Sequence, residues 1–153
     1  MEDPSYIRTL SRLQKLCSKA EYCASDIYKK ALKALDGDSR AAARVLACLV
    51  EDRYVDDARY AAAFAREKAS LQGWGPVKIR FQLRAKGVSE ENITAALEEV
   101  DPAKAADRLE RLLMAKARTL QGDPQFRLKM LKFGLSRGYS YEAVEEALKT
   151  LSL

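Results

Sequence analysis

The segment Lys86-Gly87-Val88-Ser89-Glu90-Glu91-Asn92-Ile93-Thr94-Ala95-Ala96-Leu97 returns at a spacing of 51 residues, from Gly87 to Gly138, as Arg137-Gly138-Tyr139-Ser140-Tyr141-Glu142-Ala143-Val144-Glu145-Glu146-Ala147-Leu148. The two align without a gap. Their shared order is a basic residue, glycine, an apolar residue, serine, a glutamate at a fixed offset, a β-branched residue, and Ala-Leu. Each feature has a backbone reason. Glycine ends one helix in the left-handed region, serine caps the next, and the acid sits in the first turn where the helix dipole favours it. The apolar positions then return at the spacing of a buried helical stripe. A looser third copy lies at Asp36-Gly37-Asp38-Ser39, leading into Val45, Leu46 and Leu49. A period of this size predicts an all-α chain of three tandem three-helix repeats, 1–52, 53–100 and 101–153. Such repeats stack into an elongated, curved array, because each buries its face on a neighbour.

Working outward from these corners, helix start and stop signals divide the chain into nine segments: 5–22, 25–35, 39–52, 56–72, 76–86, 89–100, 102–121, 124–137 and 140–151. Asp101-Pro102 and Asp123-Pro124 read as starts with proline at the first helical position, and Gly87, Gly122 and Gly138 as stops. No alternating run is long enough for a strand. In the segment after Asp101, Ala105, Leu109, Leu112, Leu113, Ala117 and Leu120 share one face at about 100° per residue. Lys104, Arg108, Arg111 and Arg118 share the opposite one, a basic ridge.

Composition narrows the function classes. Hydrophobic residues make up 48% of the 153, enough for a core, and the net charge is +5, which suits an anionic partner such as a nucleic acid or an acidic protein face. Cys17, Cys23 and Cys48 form no C-x-x-C pair and there is no histidine, so a zinc site and a disulfide framework are both unfavoured; reduced thiols in a cytoplasmic protein are expected. No signal peptide is read at the N-terminus, and no apolar run approaches the roughly 18 residues of a membrane span. There is no Gly-x-x-x-x-Gly-Lys-Ser/Thr loop, no nucleophile elbow, and no histidine base. Adjacent acids such as Glu90-Glu91, Glu98-Glu99 and Glu145-Glu146 diverge on a helix and read as solvated. Neither catalysis nor a cofactor nor a metal is expected.

The middle of the chain carries the most specific motifs. Leu46-x-x-Leu49 precedes Tyr54-Val55-Asp56-Asp57-Ala58-Arg59-Tyr60-Ala61, followed by Phe64, Lys68 and Gly73-Trp74-Gly75-Pro76-Val77-Lys78-Ile79-Arg80-Phe81-Gln82-Leu83. Asp56 suits an N-cap and Asp57 a first-turn acid. Tyr60 and Phe64, four apart, read as core, as do Ile79 and Leu83. Gly73 and Gly75 allow a tight link, Pro76 pre-sets helical φ, and Trp74 reads as closing the gap between repeats or as an interface anchor.

This succession, with Leu83-Arg84-Ala85-Lys86-Gly87-Val88 after it, resembles the RecX family of RecA regulators. The likeness is close from about residue 45 to 100 and continues, more weakly, to the C-terminus. The first forty-odd residues depart most: the family's Ser-x-x-Glu-Leu helix start is represented by Ser18-Lys19-Ala20-Glu21, with Tyr22 in place of leucine. The resemblance implies a protein of DNA repair and homologous recombination that docks on the RecA filament on single-stranded DNA. There it limits recombinase, ATPase and SOS co-protease activity. At most weak, non-specific DNA binding is expected beside it; a monomer is expected because no heptad or exposed apolar strip stands out, and no membrane partner is expected. The contacts expected are basic residues not needed for the core: Lys78, Arg80, Arg84 and Lys86; Lys104, Arg108, Arg111 and Arg118; and Arg127, Lys129, Lys132 and Arg137. Two other readings stay open: a helix-turn-helix regulator reading DNA bases, and a helical scaffold for some other protein. Against the first, the helix after Ser140 carries Glu142, Glu145 and Glu146, poor groups for a major groove.

Overall fold

The computed structural model describes residues 3–153, and in them the backbone forms nine α-helices and no strand. They are α1 (Pro4–Lys19), α2 (Ala24–Ala34), α3 (Ser39–Glu51), α4 (Asp57–Gln72), α5 (Pro76–Ala85), α6 (Glu90–Glu98), α7 (Pro102–Thr119), α8 (Phe126–Ser136) and α9 (Tyr141–Thr150). The helix ends follow their capping chemistry. Asp3, Asp38, Asp101 and Ser140 accept hydrogen bonds from backbone N–H groups in the first turns of α1, α3, α7 and α9. Ser89 receives the Asn92 N–H at 3.2 Å. Gly87, Gly122 and Gly138 have φ of +78°, +80° and +95°, the left-handed turn that glycine adopts without a Cβ clash.

Several helix ends differ from those expected, and two of the differences have a visible side-chain cause. α1 stops at Lys19, not residue 22, and Ser18 lies in its last turn with its hydroxyl donating to the Lys15 carbonyl at 2.7 Å. Ser18 therefore starts no helix; α2 begins at Ala24 behind Cys23. The third copy of the corner is capped by Asp38, and α3 starts at Ser39 as expected. α8 starts at Phe126, not Pro124, because Asp123 uses its carboxylate on the Gln125 N–H at 2.8 Å to hold a turn ahead of the helix.

The contacts divide the chain into two compact units. The first comprises the chain up to Ala63 together with Leu83–Ile93. Its core joins Tyr6 and Leu13 of α1, Ile27 and Ala31 of α2, Ala42, Val45 and Leu49 of α3, and Val55. These recur at three- and four-residue intervals, so each helix offers one stripe. Each large aliphatic side chain withdrawn from water is worth about 1.5–3 kcal/mol. The second unit comprises Phe64–Gln82 and Thr94–Leu153. Leu109 and Leu113 of α7 meet Met130 of α8, Tyr139, and Val144, Ala147 and Leu148 of α9. Gly134 permits the close α8–α9 approach, since a Cβ there would lie 2.5 Å from Val144 Cγ2. In α4 the buried positions are Ala61, Ala65 and Ala69, whereas Tyr60 and Phe64, expected in the core, are only half-buried. Ile79 and Leu83 of α5 are fully buried.

Candidate partner-binding surface

Much of the motif chemistry is spent on architecture. At the corner before α4, Asp56 caps its own helix through the Arg59 N–H at 3.1 Å. Asp57 reaches instead to α2 and accepts the Ala24 N–H at 2.8 Å, capping a helix 33 residues away. Arg59 donates from Nε to Glu21 at 2.5 Å and from one terminal nitrogen to the Arg53 and Tyr54 carbonyls at 3.1 and 3.3 Å. Its planar fork thus ties the α3–α4 turn to the segment between α1 and α2. The Glu21 carboxylate, by its hydrogen bond first, holds the Arg59 guanidinium above its ordinary range. The Cys17 thiol nearby is pushed up, by burial first and Glu21 second, so it is less ionised than a free thiol. A raised thiol is a poor nucleophile.

The repeated basic-Gly corners each dock on the start of a helix. In the first unit, the Ser25 hydroxyl of α2 donates to the Lys86 carbonyl at 2.5 Å, and Lys86 Nζ pairs with Asp26 at 2.8 Å. Burial alone would raise the Asp26 carboxyl. The Lys86 and Cys23 hydrogen bonds, with the charges of Lys86 and Lys29, outweigh it and hold Asp26 below the usual carboxylate range. In the second unit, the Gly75 N–H donates to the Arg137 carbonyl at 2.8 Å and the Val77 N–H to the Gly138 carbonyl at 2.9 Å. The Tyr139 hydroxyl donates to the Gly73 carbonyl at 3.1 Å. A Cβ on Gly75 would overlap the Gly138 carbonyl, and one on Gly138 would overlap Lys78. Backbone meets backbone here, which is why glycine stands at 75, whereas Gly73 serves a left-handed turn at φ +68°. Trp74 is half-buried, with Phe64 edge-on at 6.1 Å and Lys68 and Lys78 Nζ at 5.0 and 4.5 Å from its ring centroid.

The twelve expected contact residues separate by what they already hold. Arg84 pairs with Glu90, Lys86 with Asp26, Arg127 with Glu145 at 2.6 Å, and Lys129 with Asp123 at 2.6 Å. Lys78 lies over Trp74 and Arg137 over Phe133 at 5.2 Å. Arg80 is half-buried and also engaged within the chain. Arg108 does not join the exposed ridge. At about 100° per residue it stands only about 40° from Leu112, and its side chain lines a cavity with Nη1 buried. Lys104, Arg111 and Arg118 remain, exposed and seven residues apart along one line of α7, with Lys132 exposed on α8.

One cation escaped the sequence reading. Lys116 falls within the apolar face of α7 by spacing, yet its Nζ lies 5.4 Å from the Phe133 ring centroid, on the ring that Arg137 also approaches. With Lys129 and Lys132 it borders a shallow depression between α7 and α8. Its signal was a lysine inside an apolar stripe, which a long stem can occupy while its head stays wet. The second unit therefore carries exposed cations on α7 and a basic rim around an aromatic ring on α7–α8. Among the described residues no group of His, Cys, Asp or Glu could hold a metal ion. No helix is long and apolar enough to cross a membrane.

Residues 56–97 match the family model described as RecX, second three-helix domain. The chain is 27% identical to the regulatory protein RecX of Clostridium tetani, covering 98% of this chain and 70% of the relative. It is 28% identical to the regulatory protein RecX of Escherichia coli strain K12, covering 94% of this chain and 91% of the relative. A crystal structure of regulatory protein RecX superposes with a TM-score of 0.85 at 27% identity, over 95% of this chain and 72% of that one. The crystal structure of RecX from Lactobacillus salivarius has the same fold, with a TM-score of 0.83 at 17% identity and 97% of each chain covered. The matched segment holds both the Asp-Asp-x-Arg corner and the Gly-Trp-Gly-Pro link, and the likeness to proteins named regulatory protein RecX continues along nearly the whole sequence.

Proposed function

We propose that this chain binds the RecA filament on single-stranded DNA and restrains it, lowering ATP turnover, strand exchange and SOS co-protease activity. The observation that carries the reading is the line of exposed cations Lys104, Arg111 and Arg118 on α7. It is continued by Lys132 on α8. Unlike the corner lysine and arginines held in ion pairs, these heads are free to meet phosphates or an acidic protein face, arginine in a bidentate way. The relatives are named regulatory protein RecX, which supports a regulator, and RecA as its partner is what the family resemblance implies. The protein acts by binding, as a monomer in the cytoplasm, without cofactor or catalysis. Three repeats, 1–52, 53–100 and 101–153, are kept on the strength of the recurring corners. DNA alone is held weakly and without regard to sequence.

The test is RecA ATP turnover on single-stranded DNA as the protein is added. Inhibition well below one copy per RecA is expected, and no effect at equal amounts overturns the reading. Reversal of Lys104, Arg111 and Arg118 to Glu together should abolish inhibition while helical content is unchanged. If inhibition survives intact, α7 is not the contact face.

A further inference from the structure

The second unit encloses a cavity of about 380 Å³ between α4, α5, α6, α7 and α9. Its wall is largely aliphatic and aromatic: Trp74, Ile79, Leu97, Leu109, Tyr139 and Ala147. That volume lies within the range of small-ligand sites, about 300–1,000 Å³. Among the lining residues Arg108 is the one base. Arg108 Nη1 is buried and has no hydrogen-bond partner. A guanidinium N–H withdrawn from water without an acceptor is costly, and a carboxylate is its strongest complement. The other groups do not quench it. Tyr139 already spends its hydroxyl on the Gly73 carbonyl, and Ser140 accepts from the Ala143 N–H. Glu110 and Glu146 also line the cavity, Glu146 being exposed, and neither reaches Arg108 Nη1. Lys68 and Lys78 lie over the Trp74 ring and are not among the lining residues.

We infer that this cavity is a binding site for a carboxylate carried on an apolar body of side-chain size, the carboxylate taken by Arg108 and the body by the wall between Trp74 and Leu109. The inference stands independently of the filament reading. The source of such a group is either a free organic acid or a protein segment with an acidic residue beside a bulky apolar one.

Trp74 is the single tryptophan of the chain and lines the cavity, so its fluorescence reports occupancy directly. The whole protein is titrated with 4-phenylbutyrate and with its neutral isostere, 4-phenylbutyramide. A saturable change is expected for the acid, with the amide at least about tenfold weaker, because the charge-assisted bond is lost. Arg108→Gln should bring the acid down to the affinity of the amide and leave the amide unchanged. Ala106→Phe, on the exposed side of α7 and lining the same space, should block both. No saturable change, equal affinity for acid and amide, or an Arg108→Gln protein that binds the acid undiminished each overturns the assignment. If Arg108→Gln does not fold, the acid–amide comparison on the unaltered protein decides. A capped peptide with one glutamate beside one leucine separates the sources. Binding more than about tenfold tighter than the free acid assigns the site to a protein segment, and weaker or comparable binding assigns it to an organic acid; both outcomes keep the site.

Discussion

Three glycine-to-alanine changes separate backbone strain from steric overlap at the corner that joins α5 to α8–α9. At Gly122, φ is +80° and nothing lies within 4 Å of a new Cβ. Gly122→Ala should therefore cost only the left-handed conformation, about 1–2 kcal/mol. At Gly75 φ is ordinary, but the Cβ would overlap the Gly138 carbonyl and the Tyr139 nitrogen. The corner must move off, at about 1–3 kcal/mol for overpacking. The Gly75–Arg137 and Val77–Gly138 hydrogen bonds, 2.8 and 2.9 Å, then stretch, at about 1 kcal/mol each. Gly138→Ala meets both problems: φ is +95° and the Cβ would overlap Lys78. The expected order of loss is Gly122→Ala at about 1 kcal/mol, Gly75→Ala at about 3, and Gly138→Ala at about 4–5. Urea unfolding followed by far-ultraviolet dichroism and by Trp74 emission measures it. With a slope near about 2 kcal/mol per molar urea, the Gly138 midpoint should fall by about 2 M. Equal losses at Gly122 and Gly138, or a neutral Gly75→Ala, would refute the backbone-on-backbone account.

Other outcomes follow from the same geometry. The Asp26 carboxyl is lowered and the Lys86 ammonium is raised, the latter by the Asp26 hydrogen bond first. The acid's contribution is full above its unfolded pKa of about 3.9 and is lost as pH falls through the lower folded value; the lysine's is full below about 10.4 and is lost above its raised value. Asp26→Asn should thus cost about 0.5–1 kcal/mol at pH 7, discounted for the solvent that screens Lys86, and almost nothing near pH 2, with the difference shrinking in high salt; a gap independent of pH would count against the pair. Arg59→Lys keeps the charge but loses the fork to Glu21, Arg53 and Tyr54, and should lower stability by about 1–2 kcal/mol in thermal unfolding; an unchanged midpoint would mean that the fork adds nothing to a plain charge.

The fold was legible in the sequence because its punctuation is local. Gly87 with Ser89, and Gly138 with Ser140, encode a helix end and the next cap within four residues, and the structure uses both as written. Boundaries failed where a side chain bonded out of its expected place. Asp123 caps a turn before α8, and Ser18 bonds backwards inside α1. Asp57 was legible as a helix-start acid, but no spacing rule announces that it caps Ala24, because that partner is brought near only by the fold. The cations were legible as a set and not as individuals. A helical wheel places Arg108 beside Lys104 and Arg111, yet a long side chain at the edge of an apolar stripe can turn inward, and this one does. The same wheel hides Lys116 among leucines, where its stem is accommodated and its head reaches Phe133.

The division of labour among the basic residues bears on how any anionic partner is met. Lys86 and Arg137 stand at the same place in two copies of one corner. Each offers its carbonyl to the start of a preceding helix, Lys86 to Ser25 and Arg137 to Gly75. Their heads are then committed locally, to Asp26 and to the Phe133 ring. A cation at this position is thus a packing element first, and the motif shared with RecX proteins is largely spent before a partner arrives. Surplus charge resides where the repeat pattern is silent, on the solvent line of α7. A contact face built there can change its charge without disturbing any corner, so fold and partner choice are carried by different residues. For that reason the reversal of Lys104, Arg111 and Arg118 separates binding from stability, whereas reversal of Lys86 or Arg137 would confound them.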